Sequence, residues 1–103
     1  MNERPWAHEL RYFWFEVMTP ADVWRPTEAL DDELRRRFGR ECSALHLRPA
    51  HEFLGSPGEA LAAVLLFDQL PRNMFRGSAR SFASDPLARA ITRGAIAKGL
   101  DRQ

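Results

Sequence analysis

Apolar residues recur at helical spacing from the start of the chain. Trp6, Leu10, Phe13, Trp14 and Val17 fall on one face and Glu3, Glu9, Arg11 and Glu16 elsewhere, which predicts a first helix over about Glu3 to Val17. Thr19-Pro20-Ala21-Asp22 has the form of a capping box with proline at the first helical position, so a short helical turn is expected there. Pro26 limits that turn, and Trp24 is expected to act as a lid over the core.

Thr27 can cap a second helix whose apolar stripe is Leu30, Leu34, Phe38, Cys42 and Leu45. Asp31, Asp32 and Glu33 each precede one of Arg35, Arg36 and Arg37 by four residues. That spacing sets every acid beside a base one turn on and explains the arginine run without a ligand. Gly39 weakens the pattern, so a bend or break is expected there before the helix resumes toward Leu47. Leu47 to Gly58, with Pro49, Gly55 and Pro57, reads as a loop.

The clearest start signal is Ser56-Pro57-Gly58-Glu59, followed by Ala60 to Leu70, apolar on all sides as a central helix would be. Pro71 is expected to stop that helix, and Asn73 to Ala83 to form an ordered loop pinned by Met74, Phe75 and Phe82. Asp85-Pro86 opens a last helix with Leu87, Ile91, Gly94 and Ala95 inward, Arg89 and Arg93 outward, and Gly99 as its stop. No run of alternating β-branched residues competes. The fold class is therefore all-α: an antiparallel bundle or helical-hairpin stack of about four main helices, forming a single domain over residues 1–103.

Composition changes this picture mainly by exclusion. A chain of 103 residues with 45% hydrophobic and 28% charged residues supports one core without staples. The net charge of +1 supplies no field for nucleic acid or an acidic membrane surface. Fourteen of the fifteen basic residues are Arg and only Lys98 is Lys, a bias that reads as coding composition more than phosphate-binding design. Cys42 is the single cysteine and suits a reducing compartment. The first six residues lack a signal-peptide pattern, and the longest apolar run, Ala60 to Phe67, falls far short of the ~20 residues that span a bilayer. A cytoplasmic protein without nucleic-acid or membrane partners is expected.

Nucleotide and metal motifs are missing: no G-x-G-x-x-G, Walker loop, H-E-x-x-H, C-x-x-C or EF-hand loop occurs, and no cofactor is implied. Cys42, His46 and His51 do not make a zinc set, because Pro49 interrupts the approach of His51 and a fourth ligand is unassigned. The sequence around His8 carries no local Ser, Cys or Asp arrangement, so spacing does not argue a catalytic triad there.

One polar cluster remains, where the apolar helix breaks: Asp68, Gln69, Arg72, Asn73 and Arg76, with Arg80 beyond. A carboxylate on or near an apolar face needs a cation or several donors, and Arg72 or Arg76 is the obvious partner of Asp68. One reading has the cluster locking a loop and satisfying helix-end carbonyls. The other has Arg72, Arg76 and Arg80 presenting guanidinium forks to a carboxylate or phosphate, positioned by Asp68 and Asn73.

Phe13-Trp14-Phe15, Leu30-Asp31 with Arg37-Phe38-Gly39, and above all Leu65-Leu66-Phe67-Asp68-Gln69-Leu70-Pro71-Arg72-Asn73-Met74-Phe75-Arg76-Gly77, followed by Ala79-Arg80 and Phe82 to Leu87, resemble the DUF924 family. The resemblance runs from about Trp6 to Asp101 and implies an all-α, tetratricopeptide-like fold in an uncharacterised, mainly bacterial family with no established activity. Two departures are small: Arg25 follows Trp24 where many members carry an aromatic, and Leu70 stands where Phe is more usual. Members normally continue beyond the point matching Gln103, so the chain resembles the family's N-terminal part, and uncovered apolar faces would favour a homodimer. No internal period of about 34 residues is visible. The functional expectation is a binding or scaffold domain with a candidate anion-binding loop at Asp68 to Arg76, for a small acidic ligand or a protein partner. The alternative is an enzyme acting on a small acidic or phosphorylated metabolite.

Overall fold

The computed structural model describes residues 4–25 and 27–100, without the side chain of Trp24. The lid expected of Trp24, the limit set by Pro26 and the helix start at Glu3 lie outside the described residues. Helix α1 (Pro5–Tyr12) starts behind Arg4 with proline in its first turn and buries Ala7 and Leu10. It runs on into a π-helical turn, Phe13–Val17, closed by the Met18 amide donating to the Phe13 carbonyl at 2.9 Å. That bond spans five residues instead of four, so the apolar stripe slips by one position. Met18 is buried and Val17 is about half exposed, which corrects the expected inward place of Val17.

Thr19 and Asp22 form the reciprocal capping box of α2 (Pro20–Trp24), with the Thr19 amide donating to Asp22 Oδ2 at 2.8 Å. Thr27 Oγ1 accepts from the Leu30 amide and opens α3 (Glu28–Leu45). This helix passes through Gly39 without a break, contrary to the expected bend. A helical glycine costs about 1 kcal/mol relative to alanine, and burial of Leu34, Phe38 and Cys42 on the same face outweighs it.

The segment read as a loop contains a 3₁₀ turn, Ala50–Phe53, whose Phe53 is fully buried, with Leu54 close behind. Phe53 meets the Phe67 ring edge-on at 5.3 Å, and Phe13 meets Phe38 likewise at 6.1 Å. Leu54 reaches Gly94, where an added Cβ would lie 2.6 Å from Leu54 Cδ1.

Ser56 Oγ accepts from the Glu59 amide and opens α4 (Pro57–Val64). The Glu59 carboxylate does not close the box; it is buried and pairs with Arg4 at 3.0 Å. A second π-helical turn, Leu65–Gln69, follows and passes directly into α5 (Leu70–Met74). Pro71 therefore does not stop the helix. A proline ring clashes with the carbonyl four residues back in a regular α-helix, and here the wider turn comes immediately before it. Pro71 is fully buried, and Asn73 and Met74 are helical instead of belonging to a loop. Gly77 then takes a left-handed φ of 83°, and Ala79–Ser81 forms a 3₁₀ turn. Met74 and Phe75 pin this stretch, whereas Phe82 is exposed. The last helix, α6 (Asp85–Ala97), buries Ala88 and Ile91 and is followed by Gly99 at φ 75°.

The architecture is all-α, and among the described residues four α-helices reach eight residues or more. α4 packs between α1 and α6, and α3 packs on α5. The start of α4 faces the end of α6 and the end of α4 faces its start, so the two run antiparallel.

Candidate functional site

The polar cluster divides into two networks, one joining α5 to α3 and one joining it to α6. On the α3 side, Asp31 is buried and accepts from Asn73 Nδ2 at 3.1 Å, Arg76 Nε at 3.0 Å and Arg76 Nη2 at 3.3 Å. The hydrogen bond from Arg76 to Asp31, with their charge attraction, raises the guanidinium pKa further above its ordinary value. Arg35 Nη1 donates to the Met74 carbonyl at 2.7 Å and satisfies the end of α5.

At the head of α3 the expected Glu33–Arg37 pair forms, and the structure corrects the other two. Arg35 pairs with Asp32, and Glu33 with both Arg36 and Arg37, while Asp31 turns inward to α5. Asp31 was the residue to find. Positions 31, 34, 38 and 42 share one helical face, and the last three are the buried stripe, so the spacing already sets Asp31 among buried residues.

On the α6 side, Arg72 is a bridge. Its Nη1 donates to the Asp68 carboxylate and carbonyl, its Nη2 to Asp85 Oδ2 at 3.2 Å, and its guanidinium lies 5.1 Å from the centre of the exposed Phe82 ring. Gln69 Nε2 donates to Asp68 Oδ2 at 3.1 Å. The other carboxylate oxygen of Asp85, Oδ1, is buried with no hydrogen-bond partner. Arg80 stands apart from both networks, stacked 4.0 Å from the Phe75 ring centre and 3.5 Å from Ser43 Oγ.

Arg72 separates two openings. One, of about 510 Å³, lies over the turn and is lined by Arg72, Arg76, Gly77, Ser78, Ala79, Ser81 and Phe82. The other is a cleft of about 340 Å³ between the second π turn and α6, bounded by Asp68, Arg72, Asp85, Arg89, Thr92 and Arg93. Arg89 and Arg93, one turn apart on α6, are exposed and form no ion pair among the described residues. Of the six residues singled out from sequence, the structure brings Asp68 and Arg72 together at the cleft, and Gln69, which does not line it, bonds to Asp68. Asn73 and Arg76 are on Asp31, and Arg80 is on Phe75. The contribution of Arg89 and Arg93 was missed because the outward face of an amphipathic helix reads as solvated surface.

Elsewhere the candidate chemistry is quiet. Burial pushes the Cys42 thiol up to about 11, partly offset by Arg80. Among the described residues no group of three or more His, Cys, Asp or Glu is placed to hold a metal ion, and no helix is long and apolar enough to cross a membrane.

The chain is all-α, with a π turn carrying Asp68-Gln69 followed by Leu70-Pro71-Arg72-Asn73 in the next helical turn. The chain belongs to the family described as bacterial protein of unknown function, DUF924, whose model matches residues 10–103. Neither a curated protein nor a solved structure matches the chain.

Proposed function

We propose that the chain is a single binding domain for a small acidic or phosphorylated ligand, working in the cytoplasm, and that the ligand's anionic group sits in the cleft beside Arg72. One observation carries the reading: Arg89 and Arg93 line a cleft whose floor already holds a guanidinium fixed by two carboxylates. Arg72 is positioned by Asp68 and Asp85 and largely neutralised by them. At the cleft, the charge left unpaired among the described residues comes from Arg89 and Arg93 on α6, and guanidinium forks suit carboxylate and phosphate oxygens. The candidate loop thus supplies the floor of the site, with Gln69 steadying Asp68. Asn73 and Arg76 hold α5 against α3, which keeps that floor in place.

Binding is favoured over turnover because both cleft carboxylates are engaged by Arg72 and the lining residues include no thiol or imidazole. A ligand that binds only the folded state raises the melting temperature. Inorganic phosphate, pyrophosphate and citrate are the probes. The expected result is a concentration-dependent rise in Tm that the double variant Arg89→Ala/Arg93→Ala abolishes while its own unliganded Tm stays near that of the parent. No rise with any of the three, or a rise the double variant retains, overturns the reading.

A further inference from the structure

The anion cleft does not end at Thr92. Val64 and Thr92 line it and also line a second opening of about 580 Å³ that continues between α4 and α6. This continuation is apolar: Pro57, Ala60 and Leu61 on one side face Ala95, Ile96 and Leu100 on the other. Leu61 is 44% and Ile96 57% exposed, two large aliphatic side chains left in water beside small neighbours. Because α4 and α6 run antiparallel, the two openings form one trench along α6, which at 1.5 Å per residue is about 20 Å long over 13 residues. Arg89 and Arg93 line the first opening together with Asp68, Arg72 and Asp85, and among the described residues no charged side chain lines the second.

We infer that the trench binds an amphipathic anion: one unbranched aliphatic chain laid between α4 and α6, with a carboxylate or phosphate head at Arg89 and Arg93. This rests on the anion-binding reading above and extends it to the whole ligand. Lined mainly by apolar side chains with a few polar groups at one end, a cavity of this size suits a small ligand whose head fixes its orientation. The head alone gains only exposed guanidinium contacts, so the chain carries most of the affinity. Each methylene fully removed from water tightens binding about threefold to fourfold.

The test is isothermal titration of the full chain with saturated monocarboxylates from butyrate to decanoate, below their micellar concentrations. Decanol, decyltrimethylammonium and inorganic phosphate serve as controls. Decanoate has six more methylenes than butyrate, and with these only partly shielded beside the exposed Leu61 and Ile96 it is expected to bind saturably and about a hundredfold more tightly, with decanol weaker and decyltrimethylammonium weaker still. Leu61→Asp, at an exposed position, is expected to remove the chain-length gain and keep phosphate binding. Arg89→Glu/Arg93→Glu is expected to lose both, with the helical circular dichroism of each variant unchanged. If phosphate binds but lengthening the chain adds nothing, the trench inference falls and the anion site stands. If decanoate and decanol bind alike and the arginine variant changes neither, the anion site falls with it. Decanoate binding untouched by Leu61→Asp overturns the trench and leaves that face to a helical protein partner.

Discussion

Two carboxylate–guanidinium networks join α5 to its neighbours and use the same chemistry to different ends. The Asp31 network is closed: its acid is buried, and its oxygens accept from Asn73 and Arg76. The Arg72 network is open: its acids are partly exposed, it borders two cavities, and one oxygen of Asp85 has no partner. Burial separates the roles. Charge held inside a seam between helices joins them, whereas charge at the rim of a cleft remains able to exchange one partner for another.

The largest expected effect on this contrast comes from emptying the closed side. Asp31→Ala leaves Asn73 and Arg76 without their acceptor and is expected to cost about 2 kcal/mol, reduced from the fully buried case because Arg76 is itself half exposed. Urea denaturation measures it, and a loss below about 0.5 kcal/mol, the scale of an ordinary surface substitution, would break the comparison. Arg72→Ala on the open side is expected to cost less, about 1 kcal/mol, since its partners Asp68 and Asp85 can be hydrated. An equal or larger loss than that of Asp31→Ala would show that the cleft is structural.

Cys42 reports on the closed side without mutation. With its thiol pushed up to about 11 and buried on α3, it is expected to react with a disulfide reagent at pH 8 only as fast as the protein opens, and at once in urea. Rapid labelling of the folded chain would mean that the α3 seam breathes. The smallest effect concerns Glu33. Hydrogen bonds from Arg37 and then Arg36 hold its carboxyl below the ordinary 4.5. Its contribution is therefore fully present above that value and is lost as pH falls through the lower folded value. Glu33→Gln is expected to flatten the acid limb of a stability–pH curve slightly, measured by melting between pH 5 and pH 2.5; an unchanged limb would show the surface pairs to be inert.

Local chemistry was legible and register was not. Thr19, Thr27 and Ser56 cap helices as their spacing predicts, because a capping hydroxyl acts on an amide three residues away and needs no tertiary information. Of the two bases expected beside Asp68, Arg72 and Arg76, it is Arg72, one turn on, that pairs with it, while Arg76 goes to Asp31. Asp31 was misassigned because helical spacing offers it both a nearby base and a place on the buried face, and tertiary packing decides between them. Pro71 and Val17 misled for a shared reason: each follows or closes a π turn, and periodicity at 3.6 residues has no mark for a turn of five. Phe53 and Leu54 escaped notice because a short turn between prolines carries no stripe.

The second π turn has a further consequence, in the arithmetic of insertion and deletion. A π turn is an α-helix with one residue too many, and the surplus turns everything downstream by about 100° around the axis. Leu65 to Gln69 carries that surplus ahead of Arg72. Deleting one residue there would remove the wide turn that accommodates Pro71 and swing Arg72 away from Asp85 and Asn73 away from Asp31. Both networks are thus keyed to a single count of residues, so this stretch should tolerate substitution at its exposed positions far better than any change of length.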